Sequence, residues 1–193
     1  MHLRNIMLNE SQDHYESHAN RIIKRFNFKY PDEIDMYQIC FKFGIKIKPL
    51  AAPFYPFEIE EGTESYASPF PNSNRGHIFL KPNLDPIRKK LLLAEEFCHI
   101  QLHYHNQLTV SSLEINKYEK QARRMAAYLL MPKNFLENIY VTAIDQSVLV
   151  SDIADHFLVT EEFAHYRLKL EFGYKVEGFS TIRKQIHSLE WLE

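Results

Sequence analysis

Ten consecutive residues, Ala94-Glu95-Glu96-Phe97-Cys98-His99-Ile100-Gln101-Leu102-His103, hold the most chemically suggestive spacing in the chain. On a helix, positions four apart share a face, so Glu95, His99 and His103 form one row with Glu96 beside it. A carboxylate and an imidazole one turn apart can both bind a divalent metal. The neighbouring carboxylate can then act as a base on a metal-bound water. This is the geometry of the HExxH zinc-peptidase helix, with Glu95 standing where the first His would be. Taken alone, EExxH also fits a solvated acidic face. His103 and His105 equally fit surface histidines near a helix end, where the dipole favours a cation. Cys98 reads as a small buried apolar residue, and Cys40 offers no spacing that would complete a Cys-rich metal site.

A second segment bears on the first. Residues 118–132 read Tyr-Glu-Lys-Gln-Ala-Arg-Arg-Met-Ala-Ala-Tyr-Leu-Leu-Met-Pro. Ala122, Met125, Ala126, Leu129 and Leu130 make a helical apolar face with small residues at its centre, which lets another helix approach closely. Glu119 lies one turn before that face, within reach of the same metal. A core helix with one exposed Glu is the plainer reading of this segment by itself.

The elements that must position these residues follow from periodicity and punctuation. Residues 11–30 and 32–43 read as helices, the second stopped by Gly44. IKIKPL at 45–50 alternates like a half-buried strand. Residues 51–76 read as a loop region with a short strand near Ser65–Ala67, and 77–83 as a further strand closed by Pro82-Asn83. Asp85-Pro86 looks like an N-cap followed by proline in the first turn, opening a helix over 86–105. A polar loop at 106–114 leads to a helix over about 113–131, ended by Met131-Pro132. Residues 133–140 form a short helix, and 147–170 two more around a turn at Leu158–Thr160. The expected fold is α+β: a zincin-like helical body with a small, mainly antiparallel sheet from strands near 45–50, 64–68 and 77–81, and a C-terminal helical segment. The sheet edge is expected to border the metal cleft. The expected organisation is a metallopeptidase-like domain over 1–132 and a helical extension over 133–193 packed on the same core.

Together the two segments resemble the ImmA/IrrE family of zinc-peptidase-like proteins. HIFLKPNLDPIRKKLLLAEEFCH is similar to that family's strand and helix leading into HELGH. EKQARRMAAYLLMP is similar to its E-x-x-A-x-x-F-A-x-x-L-L-M-P helix, with Met125 in the Phe place. VSDIADHFLVTEEFAHYRL resembles its C-terminal segment, with Thr160 for Ser. The resemblance implies that His99 and Glu119 are metal ligands and that Glu96 is the catalytic acid/base. Glu95 takes the first ligand position and departs from the pattern. Glu can ligate zinc through oxygen, giving a Glu-His-Glu set. Two carboxylates make the metal a weaker Lewis acid and tilt selectivity from zinc toward manganese or iron. His103 is the alternative donor, from one turn further along. The resemblance further implies a phage or mobile-element anti-repressor: a metallo-endopeptidase that relieves a helix-turn-helix repressor by cleaving it, or an inactive relative that relieves it by binding.

Composition narrows the alternatives. With 193 residues, 45% apolar and 25% charged, the chain is neither disordered nor a collagen-like repeat. Its formal net charge of -2 is unlike a broad nucleic-acid binder. The helix pair at 151–168 has helix-turn-helix spacing, but Glu161 and Glu162 at the start of its second helix would face phosphates badly, so it reads as a packing or partner-binding element. Residues 133–193 carry no ligand spacing, yet they offer Tyr166 and Trp191 as docking-type aromatics; closing the core is the equal alternative. No signal peptide or membrane span is read in the sequence, and two cysteines make no disulfide framework, so a reducing cytoplasm is expected.

Overall fold

The computed structural model describes residues 13–51, 62–103, 112–145 and 148–172. His105 and Trp191 lie outside the described residues. The element order is α1 (His14–Ile23), a 3₁₀ turn (Pro31–Glu33), α2 (Met36–Lys42), β1 (Ile45–Pro49), β2 (Ser65–Pro69), β3 (Gly76–Leu80), α3 (Pro86–Leu102), α4 (Ser112–Leu130), α5 (Lys133–Asp145), α6 (Val150–Phe157) and α7 (Glu161–Phe172). The fold is α+β, as the sequence implies. The chain divides into two compact units: residues 33–126, and residues 1–32 with 127–193.

In residues 33–126, Asp35 starts α2 by accepting a hydrogen bond from the Tyr37 amide at 2.8 Å. Gly44 then reverses the chain at φ +68°, a conformation side chains resist. The sheet order is β1-β3-β2. β1 runs parallel to β3, with Ile47 opposite Ile78. β2 runs antiparallel to β3, with Ser65 opposite Leu80 and Ala67 opposite Ile78. A Cβ on Gly76 would run into the Ser68 carbonyl oxygen and sit 2.8 Å from the Pro69 Cα, so glycine is what lets β3 start this close to β2.

Helix α3 begins as its sequence implies. The Asp85 carboxylate accepts from the amides of Ile87 (2.9 Å) and Arg88 (3.1 Å), and Pro86 occupies the first turn. Leu91 to Ala94 and Phe97 to Gln101 are buried, so the helix is covered on most sides along its second half. Phe97 meets Phe43 edge-on at 5.3 Å between ring centroids, and Gln101 Nε2 donates to the Asn74 carbonyl at 3.0 Å. Arg88 donates from Nε and Nη2 to Glu64 Oε2 at 2.9 and 2.6 Å, tying the approach to β2 onto the first turn of α3.

In residues 1–32 with 127–193, α1 stops at Ile23, shorter than the helix expected over 11–30. The amides of Arg25 and Phe26 tighten onto carbonyls three residues back. Tyr30, preceding Pro31, is disfavoured in a helical conformation. Helix α5 runs to Asp145, five residues beyond the expected end. Leu158 turns the chain between α6 and α7 in the left-handed conformation (φ +51°). Arg167, 0% exposed, forms the polar centre of this unit.

Candidate metal and acid/base site

The α3 row is built as its spacing implies, and α4 meets it. His99 is buried, and its Nε2 lies 3.3 Å from Glu119 Oε2 on α4. The His103 ring, at the end of α3, stacks on Tyr118 with centroids 4.2 Å apart. Adjacent residues of α4, Tyr118 and Glu119, therefore meet His103 and His99, one turn apart on α3. Two candidate ligands that are 20 residues apart in sequence thus face one another.

The electrostatics distinguish the groups. Burial works against a charged His99, but Glu119, Glu96 and Glu95 outweigh it, so its pKa stands above the ordinary imidazole value. Glu119 is held below the usual carboxylate range, chiefly by its hydrogen bond to His99. His103 goes the other way: burial, and then the neighbouring His99, lower it to about 4, so its imidazole is neutral across the physiological range. Among the described residues, His99 Nδ1 and His103 Nε2 are buried with no hydrogen-bond partner.

Glu96 receives a hydrogen bond from Ser65 Oγ at 2.7 Å. Burial raises its pKa, and Glu119 and Glu95 add to the shift, against the opposing pull of His99 and Ser65. A raised carboxyl pKa is what a group needs to take and return a proton near neutral pH. Burial likewise raises Glu95, while Arg123 and then Arg88 pull it down.

The expected site residues therefore assemble in part. Among the described residues, no group of three or more His, Cys, Asp or Glu side chains is gathered closely enough to hold a metal ion. His99 and Glu119 face each other, whereas Glu95 lies under the influence of guanidinium groups. A divalent cation fits the donor chemistry, one imidazole and one carboxylate already in apposition with a second carboxylate one turn away on the α3 face. Ser65, Arg88 and Arg123 escaped the sequence reading. For Ser65 no local signal existed, since its partner lies across the sheet-to-helix interface. For Arg123 one did: it stands four residues after Glu119, on the same face of α4.

Comparison with known proteins places this site in context. A family model for the Peptidase M78 IrrE N-terminal-like domain matches residues 54–169, more than half of the chain and all of the site. No match was found among curated proteins. No helix among the described residues is long and apolar enough to cross a membrane. The match spans both the EExxH helix and the LLMP helix, and this chain belongs to the IrrE N-terminal-like peptidase family.

Proposed function

We propose that the chain is a metal-dependent endopeptidase that relieves a helix-turn-helix repressor of a phage or mobile element by cleaving it in the cytoplasm. The observation that carries this reading is the 3.3 Å apposition of His99 and Glu119, with Glu96 anchored beside them by Ser65. His99 and Glu119 would hold zinc, or manganese or iron given the oxygen-rich set, and Glu95 would complete it. The bound ion would supply a Lewis acid and an activated water.

The chain's own residues do the rest. Ser65 fixes one Glu96 oxygen through its hydroxyl and leaves the other for the proton relay. Glu96 accepts a proton from the nucleophile and delivers it to the departing amine. The sheet order puts β2 at an edge, directly beside α3, where an extended peptide can add as a further strand. A reducing compartment agrees with Cys40 and Cys98, which are buried free thiols.

A second reading, repressor relief by binding without cleavage, is favoured by the guanidinium groups acting on Glu95. One experiment separates the two. Protein purified without chelator is assayed for metal and then incubated with the repressor, with cleavage followed by mass spectrometry. Metal at about one equivalent, with cleavage that falls at least ~100-fold in Glu96→Gln, supports the enzyme. Repressor relief that survives intact in Glu96→Gln transfers the function to binding.

A further inference from the structure

Residues 134–166 hold six acids and no Lys or Arg, where the chain's 23 basic residues would place about four. Part of this stretch lines a cleft of about 380 Å³ between α5 and α6. Ile139, Val148 and Ile153 give the cleft its apolar lining, beside the polar groups of Thr142, Asp152 and His156. Two local bonds shape it. Thr142 Oγ1 donates to the Asn138 carbonyl at 3.1 Å within α5. Asp152 Oδ2 accepts from the Leu149 amide at 2.8 Å and closes the turn into α6. Large apolar side chains stand open next in sequence to lining residues: Val141 is 59% exposed and Leu149 55%. Glu137 and Asp155 are also exposed, each one residue from the cleft. Among the described residues, neither carboxylate has a hydrogen bond or an ion pair.

We propose that this cleft docks a basic protein segment, which seats an aliphatic side chain against Ile139, Val148 and Ile153 and sets Lys or Arg beside Glu137, Asp152 and Asp155. The apolar lining supplies affinity by taking a side chain out of water. The charge supplies selection. A stretch without its own cations leaves these carboxylates to a cation from outside, and it repels an acidic segment or a phosphate backbone. A second copy of this chain is a poor occupant, because a two-fold contact would set one acidic cleft against the other. The site uses none of the groups near His99 and Glu119. It rests on the function proposed above only in taking the partner to be a protein.

The test uses the full chain, treated with chelator so that no metal contributes. The probe is a synthetic helical peptide with one central Leu and a Lys one turn before and after it. In methyl-detected NMR titration, the resonances of Ile139, Val148 and Ile153 should shift and saturate. Changing the peptide's Leu to Ala, or both its Lys to Glu, should weaken binding by ~10-fold or more. Raising the salt concentration should weaken it as well, by screening. On the protein, Glu137→Lys with Asp155→Lys should cost ~10-fold in affinity without moving the melting temperature, since both side chains are exposed. Thr142→Trp should fill the cleft and abolish binding; the charge-reversed pair keeps the test informative if that variant folds poorly. No shift of these methyls at millimolar peptide would overturn the proposal. So would equal binding of the Glu-bearing peptide, which marks mere apolar adhesion. Self-association of the chain that Thr142→Trp removes would make a second copy the occupant and overturn it too. None of these failures touches metal binding at His99 and Glu119, which is read by metal content alone.

Discussion

Two charged clusters in this chain use the same residue types to opposite ends. In residues 1–32 with 127–193, Arg167 is closed in on several sides. Its Nε donates to the Met131 carbonyl at 3.0 Å and its Nη1 to Glu171 at 2.9 Å. Its guanidinium carbon lies 4.8 Å from the centre of the Tyr128 ring, and its Nη2 lies 3.9 Å from Glu16. Lys133 reaches Glu171 from the other side at 3.1 Å. In residues 33–126 the acids and histidines are less completely met. Glu119 keeps 62% of its side chain exposed, and buried nitrogens of His99 and His103 find no partner among the described residues. Buried atoms without a hydrogen-bond partner occur in both clusters, Glu16 Oε1 and Arg167 Nη2 in the first, so the contrast lies in the greater exposure of Glu119 and in the several close ionic contacts that enclose Arg167. On this contrast the first cluster serves the fold, and the second, under the function proposed above, would serve a bound ligand.

The sharpest way to break this contrast is to remove Arg167. Arg167→Met leaves Glu171 and the Met131 carbonyl without their partner and should destabilise the fold by roughly 3–5 kcal/mol, the scale for breaking a buried ion pair. Urea unfolding measures it. A loss under about 1 kcal/mol would place Arg167 among ordinary surface charges and erase the difference between the clusters. Glu96→Gln is the mirror experiment. Its ~100-fold activity loss, about 2.7 kcal/mol in barrier height, should come with a stability change below about 1 kcal/mol. If it unfolds the protein, Glu96 belongs to the structural class with Arg167.

The closed cluster should also declare itself through pH. Burial works to raise the Glu171 pKa, but Arg167 and Lys133 outweigh it and hold the group below its ordinary 4.5. A carboxylate with a depressed folded-state pKa adds stability that is present above the unfolded value and lost as pH falls through the folded one. The native chain should therefore exceed Glu171→Gln by about 1.5–3 kcal/mol at pH 7, as for hydrogen bonds to charged groups. The gap should shrink below about pH 4.5. A gap that stays constant down to pH 3 would mean that the Glu171 charge contributes nothing.

How far the sequence disclosed these clusters follows from the range of the forces involved. Helix α3 was legible because its cap, its proline and its i, i+4 row are local. The His99–Glu119 meeting was legible as a reach from one helical face to another. The Ser65–Glu96 bond was not, since a strand residue and a helix residue 31 positions apart share no periodicity. The parallel pairing of β1 with β3 is likewise set by packing, which puts β3 in the middle of a sheet with one parallel and one antiparallel pairing. Arg167 gave no sign at all. Only the fold shows that a residue in an ordinary charged stretch is enclosed.

The finest test of the contrast is Glu119→Gln. Its carboxylate is largely exposed, so its ion pair with His99 is worth at most about 1 kcal/mol to the fold. Thermal unfolding should barely register the change. Metal affinity should respond far more, because a carboxamide oxygen is neutral and binds a divalent cation poorly. The loss should exceed the ~10–100-fold that follows removal of groups merely supporting a ligand. Calorimetric titration with zinc or manganese, beside a melting curve on the same preparation, reads both quantities. A variant that melts early but binds metal normally would put Glu119 with Glu171 as a stabilising charge. A variant that keeps its melting point and loses the metal confirms that the open cluster is held for a ligand rather than for the fold.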